Sequence, residues 1–413
     1  MPLIKSWVDS ANAPDTDFPL NNLPYGVFDD GHGARMGVAI GKMILDVSRV
    51  DHGLDPALFA RPEWNAVMEA GPKVWATLRA RLTSLLSNDA HRDAAEPQLI
   101  PSASARLLLP FRVSEFTDFY AGRHHAENVG TLLRGAENAL PPNWLSMPIG
   151  YNGRASSVVV SGTGVRRPWG QIKGSDDTLP SFTQSRRFDL ELELGAVVGQ
   201  PSTGMVSVAE ADAMIFGYVL LNDWSARDIQ AWEYQPLGPF QAKATATTIS
   251  PWIIPKAALD PFRALAPDRE RPLLPYLQDG EPMHYDIDLN VALAPEAQPE
   301  TIICRTNARE LYYSAAQQLA HHTSSGCAMR VGDLLGSGTI SGPNKNNRGS
   351  LLELGWGGAE PLTLDTGETR SFLEDGDRLT LRGATQGDGY RIGFGECTGT
   401  VLPAAPLPDW AKD

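Results

Sequence analysis

The run Phe188-Asp189-Leu190-Glu191-Leu192-Glu193-Leu194 alternates acidic and apolar residues one by one before passing into Gly195-Ala196-Val197-Val198. A period of two is the signature of a strand with one polar and one apolar face. Asp189, Glu191 and Glu193 therefore project from the same side. On a solvated face three aligned carboxylates repel one another and gain nothing. Around a hard divalent cation they become ligands, because Ca²⁺ and Mg²⁺ take clustered carboxylate oxygens. Read alone, the run fits either an amphipathic edge strand with a wet acidic face or one wall of a cation site.

At 413 residues the chain exceeds the size at which one core usually stops growing, so two domains are expected. Its 39 glycines and 32 prolines imply many turns and a strand-rich fold. A formal charge of −14, from 35 basic and 49 acidic residues, argues against nucleic acid, whose phosphates would be repelled, and is compatible with a bound cation. Three cysteines, Cys304, Cys327 and Cys397, are too few and too scattered for a disulfide framework or a zinc site. No apolar run approaches a membrane span, and the N-terminus has no long apolar stretch of the secretory kind. A soluble, cytoplasmic protein is the expectation.

Residues 1 to about 50 read as hairpins of a small β-barrel or sheet. Gly31-His32-Gly33-Ala34-Arg35-Met36-Gly37 formally matches a dinucleotide-binding glycine pattern, yet no helical period follows it, so the context for holding a pyrophosphate is missing. From Asp55 to Leu86 the apolar spacing is helical, with a break at Gly71-Pro72. Residues 88–104 lack any period and read as a linker, which ends a small N-terminal domain near residue 110. The remaining residues, 111–413, are mostly strands and loops. The clearest strands are at 158–163, 215–220, 285–293 and 378–382, and Asp375-Gly376 signals a turn. Helical pieces are expected at 206–214, after Asp223, and at 307–319.

Three constellations can carry chemistry. In the first, His124 and His125 would stand about 100° apart on a helix, so only one can face a given pocket. If 118–125 is helical, His125 shares a face with Asp118, close to two turns away. A histidine near a carboxylate can act as a general base; a surface histidine pair is the plainer alternative. In the second, a strand ends at Asp223 and Ser225 with Asp228 resembles a helix N-cap. Arg227, Gln230 and Tyr234 then form one polar stripe, suited to an anionic, oxygen-rich small molecule, although an exposed helix face would also carry it. In the third, Lys243 sits among small residues, as a snorkelling surface side chain or as a charge placed to stabilise an anion. Glu353 has apolar neighbours in Leu351-Leu352-Glu353-Leu354, and so is either outward-facing on a strand or buried with a partner.

Asp118, His125, Arg134, Glu191, Glu193, Asp223, Lys243 and Glu353, in this order and with these local sequences, resemble the fumarylacetoacetate hydrolase family in its full-length form with an N-terminal domain. The resemblance spans essentially the whole chain. Its most specific runs are Thr117-Asp118-Phe119-Tyr120, Pro142-Asn143-Trp144-Leu145, 148–157, 222–230 and Pro236-Leu237-Gly238-Pro239-Phe240, with the tail 386–395. The resemblance implies a mainly β (α+β) fold, with a small SH3-like barrel followed by a large β-rich roll, working as a homodimer. It implies that Asp118, Glu191, Glu193 and Asp223 hold a divalent cation, Ca²⁺, with a Mg²⁺ site near Asp223, Lys243 and Thr247. His125 would be the general base, oriented by Glu353. Tyr120, Arg134, Tyr151, Gln230, Tyr234 and Thr339 would line the substrate site, and Arg227, Gln230 and Lys243 would stabilise negative charge on the leaving group. Asp189 would then lie at the strand entrance, solvated or paired with Arg186 or Arg187.

The implied reaction is metal-dependent hydrolysis of 4-fumarylacetoacetate, a small anionic diketo acid, to fumarate and acetoacetate, the last step of tyrosine and phenylalanine degradation. A related activity on another β-dicarbonyl acid, hydrolysis of an acylpyruvate or a decarboxylation, is the alternative. A non-catalytic metal-stabilised binding protein would keep the carboxylates but have no use for His125 beside Glu353.

Overall fold

The run at 188–198 is strand, as its period requires, but in two pieces. Phe188–Asp189 pairs with Ser225–Ala226, and Leu192–Val198 lies between Ile215–Asp223 and Leu334–Gly336. The computed structural model describes residues 2–411. Leu192–Val198 and Ile215–Asp223 are buried along their whole length, at the middle of a 13-stranded sheet. From one edge that sheet runs Leu99–Pro101, Met43–Asp46, Ala34–Ile40, Tyr25–Asp29, Trp252–Pro255, Ile215–Asp223, Leu192–Val198, Leu334–Gly336, Phe116–Phe119 and Gly150–Asn152. Arg106–Leu108, Val158–Val160 and Thr247–Ile249 branch from this path. A five-stranded sheet holds Thr301–Asn307, Asp288–Ala294, Arg378–Gln386, Arg391–Leu402 and Val165–Arg166. The fold is mainly sheet with short helices, as its glycine and proline content implies.

The helical spacing of residues 55–86 becomes the helices Asn65–Glu69 and Pro72–Ser87, broken at Gly71. Gly71 has φ +91°, a conformation that glycine adopts freely and other residues do not. The expected helix at 307–319 starts later, as Ala315–Thr323, because Ser314 and Gln317 close a capping box there. Gly31 and Gly33 are a hairpin turn, as the lack of a following helix implied: the Asp29 side chain accepts from both of their amides, and the chain returns as Ala34–Ile40.

Residues 88–104 are not a free linker. Leu99–Pro101 pairs with Met43–Asp46, and Arg106–Leu108 returns to Tyr25–Asp29. Strands of three residues are too short to show a period in the sequence, although Leu99, Ile100, Leu107 and Leu108 pack on the core. Nor does the N-terminal segment form a sheet of its own. Tyr25 pairs with Ile253 and Gly26 with Trp252, which joins it edge-on to the central strands.

The same continuity holds in the core. The Tyr25 ring stacks on Trp64 at 4.3 Å and on Phe216 at 5.3 Å, and one apolar cluster runs from Val8 through Trp64 to Val197, Phe216 and Ile253. Two segments that share one core are expected to unfold together. Tyr25→Ala is therefore expected to cost about 3–5 kcal/mol and to lower one cooperative denaturation midpoint, read by urea titration with circular dichroism and tryptophan fluorescence. Two separate transitions, with the second unmoved, would contradict the shared core.

Candidate active site

Strand register gathers the acidic residues. Asp118 lies on Phe116–Phe119, where its register neighbours are Gly336 and Tyr151. Glu193 lies on Leu192–Val198 opposite Leu221, and Asp223 closes the next strand. Glu191 sits just before its strand, where its carbonyl accepts the Asp223 amide at 3.2 Å. The four side chains Asp118, Glu191, Glu193 and Asp223 are buried, and each offers an oxygen within 4.8 Å of the others. A Cβ at position 336 would come within 2.6 Å of Asp118 Oδ1 and 2.9 Å of Glu193 Oε2, so glycine is what lets the cluster close.

Two cations reach this cluster. Lys243 Nζ stands 2.6 Å from Glu191 Oε2 and 3.0 Å from Asp223 Oδ2, and Arg227 Nη1 stands 2.6 Å from Glu191 Oε1. Tyr151 Oη and Thr247 Oγ1 donate to Asp223 at 3.0 and 3.2 Å. Asp118 Oδ1 and Glu193 Oε1 are buried with no hydrogen-bond partner among the described residues. Lys243 and Arg227 touch only Glu191 and Asp223 of the four, and the orphaned oxygens belong to the other two carboxylates, Asp118 and Glu193. The donor set, all oxygen, suits Ca²⁺ or Mg²⁺. The site fits such an ion.

The electrostatics divide the same way. Burial pushes the Asp118 carboxyl well above its ordinary pKa, and the charge of Asp223 adds to the rise. Burial, then Asp118, do the same to Glu193. Glu191 goes the other way: burial works to raise it, but Lys243, Arg227 and His125 together outweigh that and hold it below the carboxylate range. For Lys243, burial works to lower the pKa, and the carboxylates of Asp223 and Glu191 raise it past the ordinary lysine value. An ammonium so held has no lone pair to give a metal. Lys243 is thus placed as a counter-charge.

The base side is built on the helix Arg123–Arg134. Asp118 is on the preceding strand, so the two-turn helical relation between Asp118 and His125 does not exist; the strand and the helix that follows it place both on one cavity instead. His125 is buried and faces the cluster, with Nε2 3.8 Å from Glu191 Oε1, while His124 turns outward towards Glu310. His125 Nδ1 donates to Glu353 Oε2 at 2.7 Å. Burial works to raise Glu353, but the charge and hydrogen bond of His125, with Asn128 and Ser350, hold its carboxyl below the ordinary value. An ionised Glu353 only accepts, so in the neutral imidazole the proton sits on Nδ1 and the lone pair on Nε2. Thr339 Oγ1, at 3.2 Å, can donate to it. Glu353 is on a short helix, Leu351–Leu354, buried with partners instead of facing outward on a strand.

The polar stripe on Arg227–Glu233 is real, and Tyr234 caps its end. Its N-cap is Ala226, with no side-chain bond; Asp228 instead accepts from Ser185 Oγ and the Arg186 amide. One cavity of about 280 Å³ is bordered by Arg227, Gln230, Tyr234 and Lys243 on this side and by Tyr120, His125, Arg134 and Thr339 on the other. Asp118, Tyr151 and Glu191 form its floor, while Glu193, Asp223, Thr247 and Glu353 stand behind that lining. Arg134 is at the exposed rim, its guanidinium bonded only to the carbonyls of Asn138 and Ala139.

Chain-wide comparison agrees with this geometry. Residues 115–402 match the family model for the fumarylacetoacetate (FAA) hydrolase C-terminal region, and residues 21–110 match that for the fumarylacetoacetase N-terminal region. The chain belongs to the fumarylacetoacetate hydrolase family. Fumarylacetoacetases of Bos taurus and Arabidopsis thaliana are 48% and 45% identical to it, over 95% and 98% of this chain and 98% and 100% of theirs. In fold the chain resembles a fumarylacetoacetate hydrolase from Exiguobacterium antarcticum (TM-score 0.54, 16% identity, 92% of this chain and 99% of that one). A maleylpyruvate hydrolase from Sphingobium sp. SYK-6 is similar to the same degree (TM-score 0.53, 18% identity, 92% and 100%).

Several participants were not singled out in the sequence. Asn128, Ser341 and Ser350 all donate to Glu353, at 2.9, 3.0 and 2.7 Å. Asn128 lies three residues after His125, on one helix face, and that spacing was its available signal. Leu133 and Leu237 add apolar wall to the cavity although both are exposed. Asp189 is neither solvated nor paired with Arg186 or Arg187; it is fully buried and takes Arg227 Nε at 2.8 Å.

Protons and a cation compete for the same oxygens here. Because Asp118 and Glu193 are raised, their contribution favours the ion-free fold below about pH 4, where unfolded carboxyls also hold protons, and is lost as pH climbs through the raised values. Ion-free protein is expected to lose stability as pH rises above the ordinary carboxyl range, and added Ca²⁺ or Mg²⁺ to raise its melting temperature more at the upper end of the titration. Scanning calorimetry with and without chelator checks this. Equal shifts at both ends would show that the ion binds elsewhere.

Proposed function

We propose that this chain hydrolyses the carbon–carbon bond of 4-fumarylacetoacetate to fumarate and acetoacetate, closing tyrosine and phenylalanine degradation. The observation that carries the reading is the placement of His125 Nε2 3.8 Å from Glu191 Oε1, beside the carboxylate cluster and lining the same cavity. Near-full-length identity to fumarylacetoacetases supports the same substrate.

The physical logic runs through the leaving group. Hydrolysis of a carbon–carbon bond needs a fragment that can bear carbanion charge, and a 1,3-diketone supplies one, since acetoacetate departs as an enolate. Asp118, Glu191, Glu193 and Asp223 would hold a divalent cation, Ca²⁺ or Mg²⁺, which supplies Lewis acidity for the diketone oxygens when bound. Thr247 and Lys243 border Asp223, where a Mg²⁺ site would lie. His125 takes a proton from water at Nε2, and Glu353 stabilises the resulting imidazolium through Nδ1. The hydroxide adds to the carbonyl next to the fumaryl half. As the carbon–carbon bond breaks, its electron pair goes to the acetoacetate fragment, and the proton held by His125 is available to that carbon.

Arg227, Gln230 and Lys243 serve the charge that develops on the leaving enolate. Arg227 borders the cavity, and its Nη2 is buried without a hydrogen-bond partner among the described residues, so it is the donor that a substrate oxygen would use. Arg134 at the rim carries a positive charge with no carboxylate on it, and suits a terminal carboxylate of the substrate. Tyr120 stands edge-on to the His125 ring at 5.5 Å, and with Tyr151, Tyr234 and Thr339 it shapes the site. Burial, followed by the charges of Asp223 and Asp118, raises the Tyr151 phenol, which therefore stays a hydrogen-bond donor.

We further infer a homodimer acting in the cytoplasm, on family resemblance. No helix among the described residues is long and apolar enough to cross a membrane. The two family models, which meet between residues 110 and 115, support a domain division near residue 110.

With fumarylacetoacetate followed by its absorbance, His125→Ala is expected to lower turnover by at least about a hundredfold while binding is kept. Chelation is expected to abolish turnover and added cation to restore it. Turnover of an acylpyruvate in place of fumarylacetoacetate would move the reading to the related activity, and unchanged turnover in His125→Ala would overturn the assigned base.

A further inference from the structure

Within the proposed reaction, on which this inference rests, we infer that Asp189 is a positioning residue that ties the leaving-group cation Arg227 to the helix carrying Glu353. Asp189 is fully buried, and its two oxygens accept four hydrogen bonds. Oδ1 takes the amides of Leu190 and Leu351, both at 2.8 Å. Oδ2 takes Arg227 Nε at 2.8 Å and the Leu352 amide at 3.0 Å.

On one side this fixes a donor. A guanidinium is a rigid planar fork, so holding two of its nitrogens sets the direction of the third. Asp189 holds Nε, while Glu191 Oε1 at 2.6 Å and Gln230 Oε1 at 3.2 Å hold Nη1. Nη2 is then the one guanidinium nitrogen left without a partner among the described residues, on a side chain that lines the cavity. Asp189 also shares the guanidinium charge that would otherwise fall on Glu191 alone, a proposed metal ligand.

On the other side it fixes the base. The first amides of a helix have no carbonyl partner within it. Leu351 and Leu352 open the helix Leu351–Leu354, and Asp189 satisfies both. Glu353 is the next residue, and its carboxylate sets the His125 tautomer. One buried carboxylate therefore holds the register between the group that stabilises the departing enolate and the group that orients the base. It does so without touching substrate.

Asp189→Asn keeps the shape but replaces an oxygen that accepts two donors with an amide that is itself a donor. It is expected to lower kcat about a hundredfold with KM little changed, at wild-type metal content, and the penalty is expected to shrink in an Arg227→Gln background. Unchanged kcat, a rise confined to KM, or the full penalty persisting beside Arg227→Gln would overturn the role. Should Asp189→Asn fail to fold, Asp189→Asn with Arg227→Gln removes both charges of the buried pair, and is compared with Arg227→Gln alone. A further loss under about tenfold supports the coupling, and a larger one overturns it. A wild-type chain that does not turn over fumarylacetoacetate would overturn the reaction and this inference together. Wild-type turnover with an indifferent Asp189→Asn overturns this inference alone.

Discussion

Four carboxylates packed within 4.8 Å of one another, all buried, repel strongly. Their burial is tolerable only because Lys243 and Arg227 enter from one side and because the remaining oxygens can share a divalent ion. Much of the architecture follows from that need. The four carboxylates come from three segments, Asp118 and Asp223 from strands of their own and Glu191 with Glu193 from one run, and a register slip of one residue would turn Asp118 or Glu193 to the opposite face of the sheet. The long central strands, covered on both faces, make such a slip expensive.

The cluster and the base pair solve opposite problems with the same side-chain chemistry. Asp118 and Glu193 each keep one buried oxygen without a hydrogen-bond partner among the described residues, and burial, followed by the neighbouring carboxylate charges, raises their pKa values. Glu353 has four donors, which keeps it ionised and makes it a fixed orienter of His125. An acidic chain, at −14, must still admit an anionic diketo acid. Arg134, Arg227 and Lys243 border the cavity and supply positive charge where the substrate enters and reacts.

What was legible in the sequence was what repeats at short range. The alternation at 188–194 announced a strand, and the Arg227, Gln230, Tyr234 stripe announced a helix face. The helix break at Gly71 and the turn at Gly31–Gly33 were also readable. What was not legible depends on distant backbone pairing. Leu99–Pro101 looked like linker because three residues cannot show a period. Asp118 and His125 looked like one helix face, whereas a strand and a helix bring them together. Asp189 was expected at a wet strand entrance, yet its alternation with Glu191 and Glu193 had already put it on the inward face. The strand's second neighbour, the helix at Leu351–Leu354, lies some 160 positions further along and had no local signature. The full set of site positions was recognisable only through family resemblance, since each motif is weak by itself.

The central claim is that Asp118, Glu191, Glu193 and Asp223 jointly hold one divalent cation. Anomalous diffraction from crystals soaked in Mn²⁺, an ion that accepts the same oxygen ligands, tests it most directly. The account predicts one strong peak enclosed by these four carboxylates, lost in a Glu193→Gln variant that keeps the fold. Absence of a peak there in the wild-type protein, or a peak that survives Glu193→Gln at full height, would contradict it.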